Sequence, residues 1–130
     1  MDERKINTQL DFVSVQVRDL QKSEKFYREV LGFNLANYQN PEAVVFQNGV
    51  GAIFAIRQPF TSLPKDQPLG LGVSIWFGWK GQVDQLIKYF QDKEVKVLTP
   101  PYDTPFGRSI TIADPDGYAI TLHQIDTYEN

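Results

Sequence analysis

The chain has 130 residues, 42% of them hydrophobic and 13% aromatic, enough to bury one sizeable core in a single domain. A net charge of -3 supplies no basic field for nucleic acid or an anionic membrane surface, and no stretch approaches the roughly 20 apolar residues of a membrane span. With no cysteine there are no disulfides, thiolate nucleophiles or sulfur-based zinc sites, and the polar start MDERKINTQ lacks an apolar leader core, so a cytoplasmic location is expected.

Residues 10–17, LDFVSVQV, alternate. Val13, Val15 and Val17 form one face of a strand and Phe12, Ser14 and Gln16 the other. Asp19 offers an N-cap to QKSEKFYREVL, a helix of about three turns that Gly32 is placed to end. Strands are expected over 33–38 and 43–47, separated by Asn40-Pro41, and Asn48-Gly49 signals a hairpin into VGAIFAIR. Residues 59–69, with three prolines within the wider stretch 58–70, read as a linker. The order then repeats. LGVSIWFGW is a strand, and QVDQLIKYFQDK is a helix with Val83, Leu86, Ile87 and Phe90 on one stripe. VKVLTP is a strand, PYDTPFG a loop, and RSITIA and YAITLHQ flank the turn DPDG. Residues 10–58 and 70–124 thus form two β-α-β-β-β modules within one domain spanning 1–130.

Two stretches, FVSVQVRDLQKSEKFYREVLGF and GRSITIADPDGYAITLHQ, resemble the hallmark stretches of the vicinal oxygen chelate superfamily. That group comprises glyoxalases, extradiol dioxygenases, fosfomycin-modifying enzymes and bleomycin-binding resistance proteins. The resemblance implies an α+β fold in which two βαβββ modules form a U-shaped, eight-stranded half-barrel with helices outside and a ligand cleft on the concave side. It also implies a homodimer. Metal-dependent members hold a divalent ion through His and Glu from the first and last strands of each module. At the matching positions this chain has Phe12, Ser74 and Thr121, and AIFAI offers no carboxylate, so no metal and no other cofactor is expected.

The concave face reads instead as Phe12, Ser14, Gln16, Ser74, Trp76, Gly78, Ala119, Thr121 and His123, with Phe54 or a neighbour. Such a wall of rings with a few hydrogen-bonding groups suits a small, partly aromatic organic ligand. Arg108 could reach an anionic substituent, and His123, the only histidine, is the one candidate base. The favoured expectation is ligand binding of the resistance or sequestration type. The alternatives are a lyase, isomerase or dioxygenase with a non-standard metal or a His123 base, and an interaction module whose cleft Phe12 and Trp76 fill. Asp114 and Asp116 of DPDG are expected to bind backbone N–H groups, with Gly117 at positive φ.

Overall fold

The computed structural model describes residues 5–126. Strand β1 (Phe12–Gln16) leads to α1 (Leu20–Lys25), which the Asp19 carboxylate caps by accepting from Lys22 N at 3.1 Å. The helix continues into a π turn over Phe26–Val30. Leu31 N reaches back five residues to Phe26 O, and Phe26 and Tyr27 are both buried on this widened turn. Gly32 ends it at φ 74°, as its lack of a Cβ allows.

Strands β2 (Ala43–Phe46) and β3 (Ile53–Arg57) complete the first sheet in the order β1-β3-β2, with β1 and β3 parallel. The strand expected over 33–38 is reduced to a bridge between Leu35 and Phe46. Main-chain bonds remain from Ala36 N to Val45 O and from Gln47 N to Asn34 O, both 2.9 Å. The Gln39 side chain adds to them, donating to Val45 O at 2.8 Å and accepting from Val45 N at 3.0 Å, so that Val45 N binds a side chain where a longer strand would have offered a carbonyl. The described residues therefore carry seven strands rather than eight.

The second sheet has the order β4-β7-β6-β5, built from β4 (Ser74–Trp79), β5 (Val97–Tyr102), β6 (Ser109–Ala113) and β7 (Ala119–Gln124). Its helix, α2 (Leu86–Asp92), follows a 3₁₀ turn over Val83–Gln85. Val83 and Phe90 are buried as the stripe predicts, whereas Ile87 remains exposed. β5 runs further than expected, taking in Pro101 and Tyr102 after Pro100, with two register shifts. Prolines donate no ladder bond, and an edge strand is where a sheet tolerates them.

One apolar cluster spans both modules, joining Val17, Tyr27, Phe46, Phe54 and Ile56 to Val83, Phe90, Ile110, Ile112 and Ile120. Phe77 of β4 packs against Phe33 and Phe54 at 4.9 and 5.3 Å between ring centroids. Polar links cross the same boundary. Tyr27 Oη donates to Asp114 Oδ2 at 2.6 Å, Tyr118 Oη to Gln16 O at 2.6 Å, and Tyr89 Oη to Val30 O at 2.6 Å. The linker is fastened as well: the Arg18 guanidinium donates to the carbonyls of Pro64 and Gln67, and Leu69 N donates to Asp116 O at 2.9 Å.

Candidate functional site

Strand pairing sorts side chains onto two faces, because alternate residues point oppositely and paired residues point together. In the first sheet Val15, Val44, Phe54 and Ile56 lie on the helix side, in the core. Phe12, Ser14, Ala43, Val45, Ala55 and Arg57 line the opposite, inner face around a hollow of about 380 Å³. The phasing expected of β1 holds. Phe54 is a correction, since it is 4% exposed and packs against Tyr27, Phe33 and Phe46, which leaves its neighbour Ala55 on the inner face.

In the second sheet the register aligns Ser74 with Ala119, Trp76 with Thr121 and Gly78 with His123, so the expected residues do share one face. They are not equally accessible. Thr121 is 1% exposed and its hydroxyl lies 2.7 Å from that of Thr111, which in turn meets Tyr102 Oη at 3.2 Å. The loop between β5 and β6 crosses this face, fixed by Thr104 Oγ1 donating to Gly107 O at 2.6 Å. It brings Phe106 to 6.0 Å from the Trp76 ring, and the His123 ring stands 5.8 Å from the same indole. Phe106 O is 2.8 Å from His123 Nδ1. A carbonyl only accepts, so Nδ1 is the donor in this contact.

Trp76 donates its indole N–H to Ser74 Oγ at 2.7 Å, which fixes the ring's edge. Phe12, Trp76 and Phe106 retain 51%, 38% and 68% exposure, so in one chain the rings do not bury one another. Gln16 Oε1 accepts from Phe60 N at 2.9 Å and secures the start of the linker. Arg108 is held by two carboxylates, Asp84 at 3.0 Å and Asp103 at 2.9 Å, and these hydrogen bonds push its pKa still higher. A second cavity of about 860 Å³ lies between the modules, lined mainly by helix-side groups such as Phe33, Phe54, Ile75 and Phe77, with Ser74 and Trp76 also on its wall. Inner-face residues that the sequence reading passed over are Tyr38, Arg57 and Phe106; for Arg57 the signal was available in the alternation of IFAIR.

Residues 9–122 match the sequence model of the Glyoxalase/Bleomycin resistance protein/Dioxygenase superfamily. The chain belongs to this superfamily. It is 28% identical over 127 residues to a phenazine antibiotic resistance protein, EhpR, from Enterobacter agglomerans, covering 92% of each chain. Among solved structures it is similar to TnmS3, an antibiotic binding protein from Streptomyces sp. CB03234, with a TM-score of 0.69 and 26% identity over 93% of this chain and 98% of that one. A glyoxalase/bleomycin resistance protein/dioxygenase from Nocardioides superposes with a TM-score of 0.71 at 18% identity, covering 94% of this chain and 86% of that one, a likeness of fold.

The donor set for a superfamily metal does not fit here. Phe12 presents only carbon, Ser74 already binds the Trp76 indole, and Thr121 is closed into a hydroxyl pair. Among the described residues no three His, Cys, Asp or Glu side chains come together as a metal cluster. Asp114 and Asp116 instead serve structure. Asp114 Oδ1 accepts from Asp116 N at 2.9 Å and Tyr118 N at 3.0 Å, the role expected for it, and Asp116 Oδ1 accepts from Arg18 N at 3.2 Å. Burial raises the pKa of the Asp114 carboxyl, and burial followed by the Asp114 charge raises that of Tyr27 well above the ordinary value.

Proposed function

We propose that this superfamily protein binds a small, partly aromatic organic molecule on its inner face without a metal ion, in a resistance or sequestration role, as a cytoplasmic homodimer. The observation that carries the reading is a set of exposed rings, Phe12, Trp76 and Phe106, around positions whose side chains suit stacking and hydrogen bonding and do not suit metal coordination. The roles of EhpR and TnmS3, phenazine antibiotic resistance and antibiotic binding, support the ligand class. Support for the dimer comes from β1 and β4, each paired along one edge only, with Leu10, Leu71 and Val73 exposed near those edges.

A thermal-shift series with phenazines and other planar aromatics tests the binding. A ligand at 100 times its dissociation constant adds about 2.7 kcal/mol of stability, a clear rise in melting temperature. Absence of any shift across the series would favour a purely structural inner face. Metal analysis of protein purified without an affinity tag is expected to give far less than one ion per chain, and stoichiometric iron, zinc, nickel or manganese would overturn the metal-free mode.

A further inference from the structure

The hollow on the first sheet has a composition that selects among aromatic ligands. Its floor is Ala43, Val45 and Ala55, small side chains on which a flat molecule can lie. Phe12 and Tyr38 line it with rings that are 51% and 67% exposed. Arg57 stands at one end, beside Gln16 and Ala43 in register, while Phe12 is registered with Ile53 at the other. Four residue-to-residue steps of extended strand run from Ile53 to Arg57, about 13 Å, room for a fused tricycle between ring and guanidinium.

Three contacts position that guanidinium. Its carbon lies 3.9 Å over the Phe60 ring, Nε donates to Gln58 O at 3.2 Å, and Nη2 is 3.7 Å from Glu42 Oε2. The first two orient the fork without neutralising it. The third is a long contact to a carboxylate that is 72% exposed, the kind of pair that contributes little and exchanges readily. Arg108, by contrast, is saturated by Asp84 and Asp103.

We propose that this hollow selects planar aromatic molecules bearing an anionic substituent, the ring lying between Phe12 and Tyr38 and the anion displacing Glu42 from Arg57. The proposal rests on the ligand-binding reading above and names the ligand class of the same face. A carboxylate presented to a guanidinium gains charge-assisted, in-plane hydrogen bonds that an unsubstituted ring does not.

Calorimetric titration with phenazine-1-carboxylate and unsubstituted phenazine, on the wild type, Arg57→Gln and Glu42→Gln, tests it, with circular dichroism confirming that each variant is folded. The wild type is expected to prefer the carboxylate by about tenfold or more. Arg57→Gln should erase that preference while phenazine itself binds within about twofold of wild type, and Glu42→Gln should tighten the carboxylate by removing its competitor. Equal affinity for the two probes in the wild type, or a preference that survives Arg57→Gln, would overturn the anion selection and leave the aromatic-binding reading standing. Failure of both probes to bind would overturn both.

Discussion

At the scale of single residues, the inner face combines exposed rings with polar groups that already have partners. Because Trp76 and Phe12 are substantially exposed, replacing either by alanine should cost little stability, about 1 kcal/mol or less, while abolishing ligand-induced thermal shifts. A large loss of stability in ligand-free protein would mean that these rings hold the fold. Tyr27 behaves oppositely. It is fully buried, and its hydroxyl gives the Asp114 carboxylate a charge-assisted bond, so Tyr27→Phe should cost about 1.5–3 kcal/mol in urea unfolding at neutral pH. The folded protein holds the Tyr27 proton to higher pH than the unfolded chain does. Its contribution is therefore complete below about pH 10 and is lost as pH rises toward the raised folded value. Tyr27→Phe should flatten the decline of stability above pH 10, and an unchanged slope would count against this buried proton. Asp114 has the same sign at lower pH: its raised pKa favours the folded state most when the carboxyl is protonated, and that gain fades as it ionises.

At the scale of elements, local rules account for the helices and most strands, and the exceptions have identifiable causes. The strand expected over 33–38 is cut short at Ala36, beyond which the Gln39 side chain rather than a main-chain carbonyl binds Val45 N. Gln39→Ala should accordingly speed amide exchange at Val45 and cost about 1–2 kcal/mol, as expected for removing hydrogen bonds from a partly buried group. The turn before β7 follows its sequence closely. Gly117 sits at φ 89°, and a Cβ there would lie 2.6 Å from Pro68 Cβ and 2.8 Å from its Cα. Gly117→Ala combines a disfavoured backbone conformation with a clash against the linker, and should destabilise by about 1–3 kcal/mol as read from the chemical denaturation midpoint.

At the scale of the whole molecule, the two modules are parts of one cooperative unit. A core continuous across them, the Tyr27–Asp114 and Tyr118–Gln16 bonds, and the fastened linker leave no seam at which one module could melt alone. Both tryptophans, Trp76 and Trp79, lie in β4, so fluorescence reports the second module while far-ultraviolet circular dichroism reports both. The two urea transitions should coincide, and separated midpoints would refute this coupling. The repeat, the two helices, the inner phasing of β1 and the lack of metal-donor residue types at the matching positions were all legible in the sequence, because periodicity, capping and side-chain chemistry are local properties. Long-range contacts determined the remainder. Phe54 turned into the core because β3 pairs with both neighbours under α1, Arg108 was captured by Asp84, 24 residues away, together with nearby Asp103, and Thr121 was buried with its hydroxyl against Thr111 of the neighbouring strand. The alternation of IFAIR gives the face of Arg57, but that Tyr38 shares a hollow with it was decided only when distant segments came side by side.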